Sequence, residues 1–306
     1  MRTLVTGITG SIGTDLTPAL LAAGHEVRGF TRDARRLRVP VDDVVEGDAT
    51  TGRGLDAALD GIEVAYYLIH SMEAGRVNGF DSAELRAAEA FAEAARRAGV
   101  GRIVYLGGLV PGGDAALSRH LGSRLAVERT LLDAVPGSIA FRASIVVSAG
   151  SRSFRFLVRL VERLPVLALP NWRDHRTQPI DGRDVTSLLC AAAAAPPDRG
   201  GRAWDIGGPD VLTYGRMIES IADHLLISRP RVGLGFALTP LAAPVAAAIA
   251  GEDVGLIGPL MESLESDLLP RDGDAAAAFD VRLHPFDAAV ERALRDLETR
   301  EEVRAR

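Results

Sequence analysis

The chain has 306 residues, 47% of them hydrophobic and 25% charged, with a formal net charge of −6. That is the composition of an ordinary globular protein, long enough for one large or two modest domains. The acidic balance argues against a nucleic-acid partner, and a lone Cys190 excludes an intrachain disulfide framework or a thiolate metal site.

Met1 runs almost directly into the apolar pair Leu4-Val5 and a glycine-rich turn, which leaves no room for a targeting segment, so a cytoplasmic protein is expected. Short apolar runs at 4–6, 26–30, 44–46, 64–68, 102–106 and 138–143 are predicted strands. Helical patterns at 12–23, 80–98 and 117–134, with a shorter piece at 55–59, alternate with them. This alternation predicts βαβ units and a doubly wound parallel sheet covered on both faces.

After residue 150 the rhythm changes. A helix at 154–164 leads into a polar stretch at 171–178, read as a solvated loop. A strand at 178–180, a helix at 183–195, a strand at 202–206, a helix at 214–225, an apolar stretch at 256–269 and a last helix from Pro285 follow. The division expected is a dinucleotide-binding domain at 1–150 and a smaller, partly interleaved substrate region at 151–306. The most apolar segment, 236–250, carries Pro240 and Pro244 and is too short to span a bilayer, which takes about 20 residues.

The first turn reads Gly7-Ile8-Thr9-Gly10-Ser11-Ile12-Gly13. In such a turn the first glycine allows the tight exit from the strand, the second lets backbone approach a pyrophosphate, and the third lets the helix pack on the sheet. The helix N-terminus then offers unpaired N–H groups and partial positive charge to the phosphates. At the end of the second strand stand Thr31, Arg32, Asp33, Arg35 and Arg36. A guanidinium from Arg32, with Arg35 or Arg36 behind it, suits a ribose 2′-phosphate, so NADP is preferred; Asp33 leaves NAD open. Asp48 and Ala49 follow the third strand, where they would meet the adenine, and Leu68 and His70 follow the fourth.

These residues resemble the short-chain dehydrogenase/reductase superfamily, in its atypical NAD(P)H-binding branch of NmrA-like proteins and relatives of the nucleotide-binding accessory subunit of respiratory complex I. The resemblance covers roughly 1–225 and rests on the glycine turn, on Ala65-Tyr-Tyr-Leu-Ile-His-Ser-Met72 and on Phe141-Arg-Ala-Ser-Ile-Val146. Arg176-Thr-Gln-Pro-Ile-Asp181 with Asp184-Val185, and Trp204-Asp-Ile-Gly-Gly-Pro209, extend it. It implies a Rossmann-like domain, a small C-terminal substrate lobe and a nicotinamide near the end of the fifth strand and the following helix.

The chain departs from the catalytic members of that superfamily. Their active serine ends the fifth strand, where this chain has Leu106-Gly107-Gly108-Leu109. Their Tyr-x-x-x-Lys pair would fall on the next helix, and that pair is impossible here because all 35 basic residues are Arg; the positions hold His120 and Arg124. Four residues apart on a helix, the two share a face. Imidazole, with an unperturbed pKa of about 6.5, exchanges protons at neutral pH, and Arg124 would disfavour its charged form and bond the nicotinamide ribose. The expected activity is reduction of a carbonyl or activated double bond in a small apolar substrate. The alternatives are an NADP(H)-binding regulator or assembly factor without turnover and, more weakly, an epimerase or dehydratase. No metal site is expected, and the protein is expected to be a monomer or homodimer.

Overall fold

The computed structural model describes residues 1–41, 43–69, 80–112, 118–233, 263–271 and 274–299. The chain opens with β1 (Arg2–Thr6), α1 (Ser11–Ala22), β2 (Glu26–Thr31) and β3 (Asp43–Glu46). There follow α2 (Leu55–Leu59), β4 (Val64–Tyr67), α3 (Phe80–Arg97), β5 (Arg102–Gly108), α4 (Arg119–Ala134) and β6 (Ile139–Ala143). The remainder comprises β7 (Val146–Val147), α5 (Arg152–Arg163), β8 (Leu167–Leu169), β9 (Arg176–Thr177), β10 (Ile180–Asp181), α6 (Gly182–Ala193) and β11 (Arg202–Ile206). Last come β12 (Leu212–Thr213), α7 (Tyr214–His224), β13 (Arg231–Gly233), α8 (Ala275–Ala278) and α9 (Phe286–Glu298).

Seven strands form one sheet in the order β11-β6-β5-β4-β1-β2-β3, and every pairing in it is parallel. This is the predicted doubly wound, Rossmann-like architecture. Successive strand residues point to opposite faces. Val5, Tyr66 and Val104 accordingly pack with Leu16 of α1 and Leu188 of α6, while Leu4, Tyr67 and Tyr105 pack with Phe91 of α3 and Leu131 of α4. Because both faces are covered, the central strands β1, β4 and β5 are buried almost along their whole length rather than on alternate residues. A third core, built on Phe154, Trp172, Tyr214, Ile218 and Val290, holds α5, α7 and α9 together beyond the carboxyl ends of the strands.

Three local expectations are corrected. The strand anticipated at 178–180 is interrupted: β9 ends at Thr177 and β10 begins at Ile180. Pro179 between them has no N–H to donate to a ladder. The polar stretch 171–178 is not simply a solvated loop. Asn171–Asp174 forms a 3₁₀ turn, and Trp172 lies buried with its ring edge-on to Tyr214, centroids 6.3 Å apart. The indole finds apolar neighbours that the surrounding polar sequence conceals. Helix α5 also starts two residues before the expected position, because the Ser151 hydroxyl accepts a hydrogen bond from Phe154 N–H and caps it.

Candidate functional site

β1 lies between β2 and β4, and the chain winds outward from it in both directions. At that reversal the loops on either side diverge and leave a crevice beyond the strand ends. A cleft of about 490 Å³ occupies it. Gly7, Thr9, Gly10, Ser11, Ile12 and Gly13 form one wall. Thr31, Arg32, Arg36, Asp48 and Ala49 line one end of it, and Leu68, Gly107, Gly108 and Arg124 line the other. The structure thus brings together the anticipated cofactor residues with one exception: His70 lies outside the described residues.

Two of the fingerprint glycines, Gly7 and Gly13, are required sterically. Gly7 has φ +64°, and a methyl group there would sit 2.5 Å from the Leu68 carbonyl oxygen. A methyl on Gly13 would lie 2.5 Å from Gly7 O and 2.7 Å from Ile8 Cα, both backbone atoms with no freedom to retreat. The Thr6 hydroxyl donates to Tyr66 O at 2.9 Å and accepts from Leu68 N–H at 3.0 Å, stitching the ends of β1 and β4 beneath the turn. Gly10 caps α1 without any side-chain hydrogen bond, and the first turn carries no acidic residue. The Ser11 hydroxyl is buried with no partner. A helix start that leaves its donors unspent in a cleft is suited to an anion.

At the ends of β2 and β3 the charges are organised locally. Asp33 accepts from Arg35 N–H at 3.0 Å and from Arg35 Nε at 2.9 Å, and these bonds hold its carboxyl below the usual range. It is therefore already engaged by a neighbour. Burial would raise the Asp48 carboxyl, but hydrogen bonds from Thr50 N–H and Oγ1, at 2.9 and 2.7 Å, with Arg32 and Arg53 nearby, outweigh it and hold it low.

The other end of the cleft is built by β5 and α4. Arg124 Nη2 donates to Leu106 O at 2.6 Å, and its guanidinium carbon stands 5.9 Å from the centre of the Tyr105 ring. The Tyr105 hydroxyl in turn donates to Arg124 O at 3.4 Å, and burial pushes that phenol up to about 12. His120 falls in the first turn of α4, one helical turn before Arg124; its side chain lies outside the described residues. A Cβ on Gly108 would lie 2.7 Å from Leu121 Cδ2, so Leu121 fills the space a side chain at that strand end would need. Behind Gly107, Glu128 grips Arg142 at 2.6 and 2.8 Å, and Arg142 lies 3.6 Å from the buried Asp205.

The opposite wall was not anticipated. Ser144, Ser148, Gly150, Ser151 and Arg152 face the fingerprint, and Phe156, Leu157, Tyr214, Leu264 and Leu268 extend the cleft into the third core. Its only trace in the sequence was the serine-rich run that follows Phe141-Arg142-Ala143. None of the stretch 171–178 lines this cleft. Instead His175 Nδ1 contacts Leu264 O at 2.8 Å and Arg176 bonds Asp267 at 2.7 Å, fastening the segment that carries Leu264 and Leu268. Among the described residues there is no cluster of His, Cys, Asp and Glu able to hold a metal, and no helix is long and apolar enough to cross a membrane.

A doubly wound sheet with this turn at its switch point defines a dinucleotide-binding α/β protein. Residues 7–129 match the family model described as NAD(P)H-binding. The chain is 30% identical over 198 residues to the ceramide reductase of Caulobacter vibrioides, covering 63% of this chain and 61% of that protein. It is 26% identical over 230 residues to subunit 9 of the mitochondrial NADH dehydrogenase 1 alpha subcomplex of Arabidopsis thaliana, covering 72% and 57%. The chain thus spans less than two thirds of either relative. In fold it matches a dTDP-glucose 4,6-dehydratase of Streptomyces venezuelae, with a TM-score of 0.72 and 18% identity over 99% of this chain and 98% of that one. These similarities are consistent with the atypical short-chain dehydrogenase/reductase branch and place the chain among NAD(P)-binding relatives of oxidoreductases.

Proposed function

We propose that the protein is an NADP-preferring oxidoreductase that reduces a carbonyl or an activated double bond of a small, mostly apolar substrate. The observation that carries this reading is the continuity of the cleft: one cavity runs from the uncapped start of α1, past Arg124, to a wall of Phe156, Leu157, Leu264 and Leu268. Gly7, Gly10 and Gly13, with the unpartnered Ser11 hydroxyl, fit a pyrophosphate. Arg32, helped by Arg36, takes the 2′-phosphate, since Asp33 is occupied by Arg35. When bound, the cofactor supplies or accepts a hydride, and the chain supplies orientation and a proton route.

Arg124 is anchored at the end of β5 by Leu106 O, so its charge stays fixed at the end of the cleft where a nicotinamide would lie. Always protonated, it cannot serve as the general acid; its roles are to hold the ribose through its N–H donors and to favour neutral His120. His120 takes the alcohol proton in the oxidative direction and returns it to the developing alkoxide in the reductive one. The apolar wall excludes water from that end. Replacing His120 by Ala is expected to lower kcat by about 100-fold or more with the NADPH Kd unchanged. Undiminished turnover of NADPH with apolar ketones, quinones or enones would refute the assignment.

A second reading is favoured by Leu121, which fills the place a serine would need at Gly108. On it the chain binds NADP(H) and regulates or assembles without turnover. Tight NADPH binding with no consumption against that panel of acceptors would select it, whereas no binding would sink both.

A further inference from the structure

The turn 148–152 faces the fingerprint across the cleft and has no function in the account above. Three observations single it out. The Ser148 hydroxyl is buried, lines the cleft and lacks any partner, as does the Ser11 hydroxyl opposite. Gly150 presses so closely on α1 that a methyl group there would overlap Ser11. The turn also ends in the start of α5, a helix of 12 residues whose first two residues, Arg152 and Ser153, line the same space. Two buried hydroxyls without partners in one cleft cost free energy that a bound acceptor recovers. The acids lining the cleft are Asp33 and Asp48, both at the ends of β2 and β3, so nothing among its described residues repels an anion here.

We propose that the turn 148–152 is the second wall of a diphosphate cradle: Ser11 and the amide end of α1 hold the group from one side, Ser148 and the amide end of α5 from the other. The group is the diphosphate of the dinucleotide, and to that extent the proposal rests on the function proposed above. The same chemistry would suit a phosphate carried by the substrate. The turn leads straight from β7 into α5, whose Phe156 and Leu157 line the apolar wall, so occupancy of the cradle would draw that wall towards the cofactor.

The test is a titration of NADPH, adenosine 2′-monophosphate and inorganic pyrophosphate into the intact chain, comparing wild type with Ser148→Ala and Gly150→Ala. Losing a hydrogen bond to a charged oxygen, Ser148→Ala should raise the NADPH Kd about 10-fold or more. Adenosine 2′-monophosphate, which carries no diphosphate, should bind as before. The Tm of the unliganded variant should not fall, because the deleted hydroxyl had no partner. Gly150→Ala, by pushing the turn off Ser11, should weaken NADPH in the same way. If Ser148→Ala leaves NADPH unaffected but abolishes pyrophosphate binding to the NADPH-saturated protein, the cradle stands and serves the substrate. Unchanged affinity for both, or equal weakening of adenosine 2′-monophosphate, overturns it. Should wild type bind pyrophosphate, and lose it in Ser148→Ala, but bind no NADPH, the proposed function fails while the cradle survives.

Discussion

Restoring the missing serine should break the packing before it restores any chemistry. In Gly108→Ser the new Cβ would lie 2.7 Å from Leu121 Cδ2, whereas ordinary carbon–carbon contact is about 3.5–4.0 Å. One of the two must therefore retreat by roughly 1 Å. Leu121 is only 6% exposed and sits in the first turns of α4, so it cannot swing freely into solvent. Overpacking of this kind costs about 1–3 kcal/mol. In a chain of this size that is roughly 2–5 °C in Tm. Leu121→Ala alone should cost about 2–5 kcal/mol through the cavity it leaves. Combined with Gly108→Ser it should cost less than the sum, because the hydroxymethyl group enters that cavity. Thermal or urea unfolding of the four proteins in a double-mutant cycle measures the coupling, expected at about 1 kcal/mol or more. A Gly108→Ser variant as stable as wild type, or strict additivity, would show that Leu121 does not occupy the serine's place.

Two further outcomes are expected. Arg32→Ala should weaken NADPH by about 10- to 100-fold, the worth of one or two charge-assisted hydrogen bonds, and NADH by far less; equal losses in fluorescence titrations would remove Arg32 from the 2′-phosphate site. Asp181 should contribute to the acid limb of the stability profile. Burial would raise its carboxyl, but hydrogen bonds from Arg183, with Arg292 at 2.7 Å, hold it below the usual range. A lowered folded pKa stabilises above the unfolded value of about 3.9, and that stabilisation is lost as pH falls through the folded one. The stability gap between wild type and Asp181→Asn should therefore be wide at pH 6 and narrow below about pH 4. A gap that does not vary with pH would contradict it.

The parts of the site legible in the sequence are those fixed by local geometry. Gly7 and Gly13 are demanded by backbone a few residues away, and strand β11 announces itself as Arg202–Ile206. What stayed hidden depends on contacts far along the chain. Nothing near Trp172 in sequence shows that it faces Tyr214, and nothing near Leu268 shows that it bridges to Thr177 beside the cleft. Gln178 reads as the start of a strand, yet Pro179 cannot join a ladder. The Ser148 turn escaped notice because serines in a loop are common, and only burial without a partner distinguishes this one.

The large sheet also has a temporal side. Its edge strand β11 pairs with β6, yet about 60 residues of the second region are made between them. At about 5–20 residues per second, a nascent chain would wait roughly 3–12 s with the β6 edge uncovered. Through that interval Phe141 and Ala143 lack the strand beside them, and an open apolar edge invites pairing with another chain. A fragment ending at residue 150 would make that interval permanent. Residues 1–150 thus do not complete their own sheet during synthesis, and slowing translation between β6 and β11 should lower soluble yield more than slowing it earlier in the chain.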